Sequence, residues 1–442
     1  MAVAHANTLR PTRLDGFNSD RGVVLIVYDN QDRTQRPTVV DDQPTGGWRR
    51  FLLAAYGPPL LSSIGYGAVT PLVALSALQL GASTAMAALI TGLTGVATMI
   101  GDLPASWIAT RLGEKRAIIA ACLWDAIWLS VAFTARALPV LSLAVFCFGI
   151  SGSVFGLARQ TYVTEATPLR LRARALSGLG GVQRIGFFIG PLIASGIIAV
   201  WNLSMAYGFA AIMSLCAAGV TMFLPDLPAD VAVQQGNKAD APKLWPILRH
   251  HLGVFARVGT GVLALMLVRQ ARQVILPLWC ASLDMSESTT SLVVAASMGI
   301  DMSLFFFGGL IMDKLGRVWV AVPSMIVLGG ALAALALTHS IGPVIAVAIV
   351  MGLGNGIGSG VVMTLGSDAS PDFGRAQFLS GWRLMGDVGA TLGPLAISAI
   401  TALFSLAAAT TGLGVFAWLG AIWLGTGITR SATTRKIPPL SR

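Results

Sequence analysis

Ionisable side chains inside long apolar stretches are the groups of this chain best suited to chemistry. These stretches contain Asp125, Arg184, Arg269, Arg272, Asp301 and Asp387, with Asp102 and Arg383 nearer to stretch ends. A charge at the middle of a membrane costs at least about 2.5–3.5 kcal/mol on insertion scales, and such residues mark solute or proton pathways. We therefore expect proton or charge coupling from five of them: Asp102, Asp125, Arg184, Asp301 and Asp387.

Two patterns concern what these charges would bind. Asp125 lies between Trp124 and Trp128 in sequence, and an acid beside aromatic rings suits a cationic amphiphile. The alternative is that Asp125 faces polar neighbours on another helix. Arg269 and Arg272 are three residues apart and share a helix face, where they would suit an anionic or polar substrate. Charges of both signs do not identify the substrate.

Residue types that enzymes and metal sites use do not form a constellation in the sequence. No nucleophile, base and acid are grouped, and the four cysteines lack metal-ligand spacing and are predicted to be small buried hydrophobes. The glycines of residues 352–360 lack the spacing and the preceding strand of a dinucleotide-binding fingerprint. We expect no enzyme activity, no metal and no cofactor.

The elements that must hold these charges are membrane-spanning helices. The chain is 55% hydrophobic and 11% charged, whereas a soluble domain carries about 25% charged residues. Its apolar residues form twelve runs of about twenty residues, the length that crosses a ~30 Å hydrocarbon core. The predicted fold class is an all-α membrane protein with twelve transmembrane helices.

Basic residues alternate from loop to loop along the chain. They follow the second, fourth, eighth and tenth predicted spans and flank the first span, the middle loop and the chain end, whereas the alternate loops hold almost none except Arg136. This positive-inside pattern predicts a multi-pass protein of the cell membrane with both termini in the cytoplasm. The net charge of +10 then faces anionic lipid heads, and no nucleic-acid partner is expected.

The sequence repeats itself at one offset of 203 residues. Residues 108–113 match residues 311–316, and residues 172–178 match residues 375–381. So long a period indicates two duplicated membrane half-domains, which are typical of secondary transporters. Among the positions where the copies disagree in charge, we expect functional asymmetry at three: Thr98/Asp301, Thr110/Asp313 and Arg184/Asp387.

A polar segment in the middle of the chain divides six spans from six. The predicted divisions are a disordered cytoplasmic tail at 1–48, an N-terminal half at 49–225, a central cytoplasmic loop at 226–252, a C-terminal half at 253–428 and a cytoplasmic tail at 429–442. Residues 243–251 are predicted to form a short amphipathic helix on the cytoplasmic interface.

Two short loops carry glycines and charges in a pattern that resembles the signature loop of the major facilitator superfamily. The stronger copy is residues 308–317, and the N-terminal copy, residues 105–116, has Thr110 where that family has an aspartate. The resemblance implies two pseudo-symmetric six-helix halves that alternate in access, with loop charges locking one half to the other. It assigns gating roles to Arg111, Gly113, Lys115, Asp313, Lys314, Gly316 and Arg317.

Residues 186–196 in the fifth span resemble the antiporter motif of drug–proton exporters, with Ala194 and Ser195 in place of its glycine pair. Small residues and a proline let helices pack closely and bend. The motif favours export, and ordinary helix packing is the alternative. The implied positions, including the equivalents in the eleventh span, are Gly186, Gly190, Pro191, Gly393 and Pro394.

Glycines and prolines also mark the first and seventh spans as bent helices. In the first span Pro58 and Pro59 precede Tyr66, which lies between two glycines, and in the seventh Pro277 precedes Trp279. Irregular helices are where transporters bind and gate. Together with Arg269 and Arg272, these two aromatic residues form the predicted substrate cavity.

The resemblance further implies which charges meet. In that fold the fifth span faces the eighth and the second faces the eleventh, so Arg184 is expected to face Asp301, and Asp387 to face Asp102 or Arg383. A pair across the halves would be a latch that protonation of the aspartate releases, which couples a proton to transport. A static pair that fixes helix register is the alternative.

The predicted function is secondary active transport. Resemblance makes it proton-coupled efflux of a small amphiphilic compound or drug, by a protein expected to be monomeric in the lipid bilayer and driven by the proton gradient. Symport or uniport uptake of a small metabolite is the alternative within transport. A membrane receptor or non-transporting scaffold is the alternative of another class.

Overall fold

The computed structural model describes residues 48–167, 171–224, 244–371 and 373–435. Within these ranges the regular secondary structure is helical, and twelve helices are long and apolar enough to cross a membrane. The predicted all-α fold class with twelve spans is confirmed. The predicted tail up to residue 47, most of the central loop (225–243) and the chain end (436–442) lie outside the described residues.

Each half of the protein contains six spans, which we number 1 to 12 along the chain. Those of the N-half are Trp48–Val69 continued by Leu72–Gln79, Thr84–Leu112, Glu114–Thr134, Leu138–Glu165, Arg172–Val200 and Ser204–Met222. Those of the C-half are Leu252–Ser282, Glu287–Leu315, Val318–Leu335, Ile341–Ile357 continued by Val361–Ala369, Arg375–Leu403 and Leu406–Arg435.

Equivalent residues begin and end equivalent spans in the two halves. The hydroxyls of Ser83 and Ser286 each accept a hydrogen bond from a backbone N–H in the first turn of spans 2 and 8. Both spans end at a glycine with positive φ, 78° at Gly113 and 98° at Gly316. Side chains other than glycine rarely adopt this conformation, which explains the glycine in both signature loops.

Two spans are interrupted, but not at the prolines that mark predicted bends. Span 1 breaks at residues 70–71, where proline has no N–H to continue the helix, and span 10 breaks at residues 358–360. Span 1 stays helical through Pro58 and Pro59, and span 7 through Pro277. Neighbouring helices in a membrane bundle compensate for a proline's missing hydrogen bond, so a proline alone does not locate a break.

Helices extend beyond two of the domain boundaries predicted from sequence, those at the central loop and at the chain end. A short helix, Leu244–His250, precedes span 7, as predicted from its polar and apolar pattern. Its Ile247 packs against Gly374 near the start of span 11, while Trp245 faces outward. Span 12 continues to Arg435, beyond the predicted end of the half at residue 428, and the Thr429 hydroxyl donates to the carbonyls of the preceding helical turn.

The halves are packed together on one side of the bundle and separately on the other. We call the side that carries the signature loops, residues 105–116 and 308–317, the terminal face, and the opposite side the distal face. Toward the distal face, one cluster of buried apolar residues joins both halves, with Leu75 and Ile275 among its members. Toward the terminal face, the described buried residues form one cluster within the C-half and two within the N-half.

Candidate functional site

Polar contacts close the distal face between the halves. The Ser195 Oγ of span 5 lies 3.0 Å from the Ser288 Oγ of span 8, and each hydroxyl is 2.9 Å from the other residue's carbonyl oxygen. Gln79 Nε2 donates to Glu287 Oε1 at 2.7 Å. Ser195 stands where the antiporter motif has a glycine, so this departure from the motif supplies a contact across the halves.

An ion pair joins the halves near the middle of spans 5 and 8. Nη1 of Arg184 in span 5 lies 2.6 Å from Oδ1 of Asp301, which is at the middle of span 8. The Arg184 guanidinium also lies 4.7 Å from the centre of the Phe305 ring. The side chains are 25% and 7% exposed, so water screens the pair only weakly. This is the contact that the family resemblance implies, while a coupling role for it stays a prediction.

Two residues of the C-half hold the other oxygen of the same carboxylate. Nδ2 of Asn355 in span 10 donates to Asp301 Oδ2 at 2.5 Å, and Nη2 of Arg272 in span 7 lies 3.5 Å from that oxygen. Arg272 Nη1 in turn donates to Ser297 Oγ at 3.0 Å. One carboxylate therefore ties together spans 5, 7, 8 and 10.

Arg269 completes this group. It is half-buried and interacts electrostatically with Arg184, Arg272 and Asp301. Among the described residues, its Nε and Nη2 find no hydrogen-bond partner, and neither do Arg272 Nε and Asn355 Oδ1. We call Arg184, Arg269, Arg272, Asp301 and Asn355 the central cluster. Three guanidiniums and one carboxylate give it a net charge of +2.

Asn355 is absent from the site predicted from sequence. It lies within the glycine-rich residues 352–360, which resemble a small-residue helix face. Its equivalent in the N-half is Gly152, so the two copies differ in polarity at this position. A comparison of the two copies that includes polar as well as charged differences would identify Asn355 from the sequence.

A second charged group lies between spans 2 and 11. Nε of Arg383 is 3.6 Å from Oδ2 of Asp387, one helical turn further along span 11. Asp102 of span 2 is close enough to Asp387 for their charges to repel. Asp387 therefore faces both residues that the sequence offers as its neighbours, in surroundings more open than those of the central cluster.

Asp125 joins neither group. It is buried and accepts a hydrogen bond from Ser151 of span 4, within its own half. The neighbouring Trp124 donates its indole N–H to the Cys147 carbonyl at 2.9 Å and exposes its ring on the outside of the bundle. The arrangement matches the alternative of a polar neighbour on another helix.

The two aromatic residues predicted to line a cavity each pack inside one half. Tyr66 stacks on Phe148, with ring centroids 5.0 Å apart. Trp279 is buried, and its indole N–H donates to Thr338 Oγ1 at 2.9 Å. Of the four residues predicted for the cavity, only the two arginines belong to the central cluster.

The glycines of the antiporter-like motif pack spans within a half. A Cβ atom added at Gly186 or Gly190 would overlap span 1, and one added at Gly393 would lie 2.6 Å from a backbone oxygen of span 7. Pro191 and Pro394 directly follow two of these glycines. The motif thus lies at equivalent helix contacts inside each half, which is the packing alternative.

The C-terminal signature loop is tied to its own half. Arg317 binds both oxygens of Asp368, at the end of span 10, with distances of 2.6 and 3.3 Å. The equivalent N-half positions are Glu114 and Glu165, whose like charges make no such pair with each other.

The other charges of the signature loops face the surface. The Arg111 guanidinium lies 4.9 Å from the centre of the Trp107 ring, Asp313 and Lys314 are exposed, and Lys115 is half-buried. A lock that joins the halves through these charges stays a prediction for another access state.

Comparison with known proteins identifies the fold. The family model described as Major Facilitator Superfamily matches residues 60–279 and 258–439. No curated protein matches the sequence. Among solved structures, a POT family transporter has a TM-score of 0.68 at 13% identity, over 87% of this chain and 96% of its own.

Two further solved structures have a similar fold. The nucleoside transporter NupG has a TM-score of 0.70 at 15% identity, over 85% of this chain and 99% of its own. The human organic anion transporter TETRAN has a TM-score of 0.58 at 16% identity, over 86% of this chain and 100% of its own. Identities this low establish a shared fold and leave the transported solute open.

Proposed function

The chain belongs to the Major Facilitator Superfamily and is a multi-pass membrane transporter, and from this premise we propose that it couples solute movement to protons. A small solute binds between the halves, which rock to expose it to one side of the cell membrane and then to the other. The proton gradient supplies the driving force, and Asp301 carries the proton.

The observation that carries this proposal is the ion pair between Arg184 and Asp301. With Asp301 ionised, Arg184 of the N-half is attracted to the C-half. With Asp301 protonated, the remaining charges of the central cluster are three guanidiniums, and Arg184 is repelled by Arg269 and Arg272. One proton therefore changes attraction across the halves into repulsion.

The packing of the halves supports alternating access. Apolar residues and hydroxyl groups join the halves at the distal face, whereas the buried clusters toward the terminal face belong to single halves. The basic loops lie on the terminal face, which the positive-inside pattern assigns to the cytoplasm. The described state is then closed to the outside, with the halves separable on the cytoplasmic side.

Direction and cargo are finer parts of the proposal. Export of an amphiphilic compound is the direction favoured by the antiporter-like motif. Uptake by symport or uniport is the second candidate, because the motif's glycines pack inside each half and so carry no preference for export. Solved structures of this fold include a peptide transporter and a nucleoside transporter, so the fold accommodates different solutes.

Transport in proteoliposomes with an imposed pH gradient tests the proposal in both directions. A panel of amphiphilic compounds and small metabolites is offered to the wild type and to Asp301→Asn. We expect gradient-driven accumulation by the wild type, and exchange without response to the gradient by the variant. Equal stimulation of both proteins by the gradient would remove Asp301 from coupling. Ligand binding without transport of any bound compound would support the receptor alternative.

A reversible lock separates carrier-mediated transport from leakage. The hydroxyls of Ser195 and Ser288 are 3.0 Å apart across the halves, so cysteines at both positions are within disulfide reach. Transport by the double variant Ser195→Cys/Ser288→Cys should stop on oxidation and return with reductant. The single cysteine variants are the matched controls and should respond to neither treatment. Transport that continues through the oxidised double variant contradicts alternating access.

A further inference from the structure

We propose that the central cluster binds an organic anion, with the solute's carboxylate held by Arg269 and Arg272. This proposal rests on the proposed transport function and deepens it by naming the chemical class of the solute. Four features of the cluster support it: its charge, its unpaired donors, the shape of span 10 beside Arg269, and the position of the other membrane acids.

The net positive charge of the cluster favours the binding of an anion. Asp301 offsets one of three guanidiniums, which leaves +2 in the interior of the bundle. Uncompensated charge in such surroundings is strongly unfavourable. Two other acids of the described spans do not offset this charge: Asp125 accepts a hydrogen bond from Ser151, and Asp387 pairs with Arg383. A bound carboxylate offsets one of the two excess charges.

The unpaired hydrogen-bonding groups match an acceptor. Arg269 Nε, Arg269 Nη2 and Arg272 Nε have no partner among the described residues, against a single unpaired acceptor, Asn355 Oδ1. Arg272 is only 2% exposed, so its free donor lacks bulk water as well. A carboxylate has only acceptors, and a guanidinium presents its N–H groups in a planar fork that fits one. An ammonium group has only donors, so it would meet unpaired donors and positive charge where it requires acceptors.

Span 10 packs closely against Arg269. The span breaks at residues 358–360, and a Cβ atom added at Gly358 would overlap Ser324 Oγ and lie 2.5 Å from Arg269 Nη2. Gly358 has φ −72°, a conformation open to any residue, so the glycine serves this close packing and not the backbone. The unpaired Nη2 is therefore held against the backbone of span 10 at the helix break.

A cationic solute fits this geometry poorly. The acid that suits a cationic amphiphile by sequence, Asp125, is buried between spans 3 and 4 of one half. Of the two charged groups between the halves, the one between spans 2 and 11 is the more exposed, and the buried one is the central cluster, whose charges sum to a positive value. The cargo that meets Arg269 is then an anion.

Thermal unfolding of the purified full-length protein in detergent tests this proposal with three probes that share one ring. Benzoate is the anion, benzamide the neutral analogue and benzylammonium the cation, compared at constant ionic strength. We expect benzoate to raise the unfolding temperature in a concentration-dependent way, because a ligand that binds only the folded state stabilises it. Benzamide and benzylammonium should produce no such shift.

Variants at position 269 locate the effect. Arg269→Gln should weaken benzoate binding by about tenfold to a hundredfold, the effect of losing charge-assisted hydrogen bonds. Arg269→Lys, which keeps the charge but not the fork, should retain part of it. Arg136→Gln removes an exposed arginine at the distal face and should bind benzoate as the wild type does. Without ligand, Arg269→Gln should unfold at the same or a higher temperature, because it removes a charge with unpaired donors; a purely structural arginine would give a lower temperature.

Several outcomes would overturn the anion site: no benzoate shift in the wild type, equal shifts from all three probes, or an unaltered benzoate shift in Arg269→Gln. If Arg269→Gln fails to fold, the probe comparison in the wild type and Arg269→Lys decides. Gradient-driven transport of a cation without benzoate binding would refute the anion site and support proton-coupled transport. Benzoate binding without transport of any compound would support the anion site and refute proton-coupled transport.

Discussion

At the residue scale, the Asp301 carboxylate controls contacts in both halves. One oxygen pairs with Arg184 of the N-half, and the other accepts from Asn355 and Arg272 of the C-half. The cost of placing charges in apolar spans makes Arg184 and Asp301 predictable from sequence, and the repeat makes their asymmetry visible. Asn355 and the free donors of Arg269 are not predictable in this way, because they depend on the break in span 10 and on side-chain directions.

A double-mutant cycle measures the latch. Asp301→Ala should lower the free energy of unfolding by about 3–5 kcal/mol, because it leaves buried guanidiniums without a carboxylate. Arg184→Ala should lower it less, since Asp301 keeps Arg272 and Asn355. The double variant should lie closer to the wild type than the sum of the singles, by about 0.5–3 kcal/mol in chemical unfolding experiments. Additive effects would mean that the two side chains do not interact.

Replacing Asp125 should leave proton coupling intact. Asp125→Asn keeps an oxygen that accepts the hydrogen bond from Ser151, and this contact lies within one half. Gradient-driven transport in proteoliposomes should therefore continue in Asp125→Asn and be lost in Asp301→Asn, although both changes neutralise a buried acid. Loss of coupling in Asp125→Asn alone would move the proton site into the N-half.

At the element scale, equivalent glycines set how closely equivalent helices approach. Gly190 lies on span 1 and Gly393 on span 7, in the same arrangement within each half. The spans themselves are predictable, because apolar length alone determines which segments cross the membrane. Their interruptions at residues 70–71 and 358–360 are not, because a proline or glycine breaks a membrane helix only where its neighbours satisfy the freed backbone.

Alanine at Gly190 should destabilise the N-half. The added methyl group would overlap the backbone of span 1, and overpacking of this kind costs about 1–3 kcal/mol. Gly196→Ala is the matched control in the same span, because nothing lies within 4 Å of a Cβ atom there, and it should be neutral or stabilising by up to about 1 kcal/mol. Thermal unfolding in detergent compares the two, and similar effects would show that Gly190 sets no helix contact.

At the scale of the whole molecule, two similar halves carry different charges at equivalent positions. The central cluster belongs to the C-half except for Arg184, whose equivalent Asp387 pairs with Arg383. The repeat predicts the two halves. It does not predict which face is closed, because that depends on buried apolar contacts such as those between the second segment of span 1, Leu72–Gln79, and span 7. Asymmetric charges on symmetric halves let one proton favour one access state.

Ionised Asp301 is proposed to hold the distal face closed, and the distances across the two faces test this directly. Spin labels at equivalent loop positions report on both faces: Arg136→Cys with His339→Cys on the distal face, and Arg116→Cys with Trp319→Cys on the terminal face. All four positions are exposed, and the exposed Cys216 is first replaced by alanine. Pulsed electron paramagnetic resonance then gives the distance distribution of each pair in lipid. Each pair is measured with Asp301 present and with Asp301→Asn, which mimics the protonated acid.

We expect Asp301→Asn to shift the distal pair to longer distances and the terminal pair to shorter ones, as two halves rocking about a central site require. Unchanged distributions, or distances that lengthen on both faces at once, would contradict it.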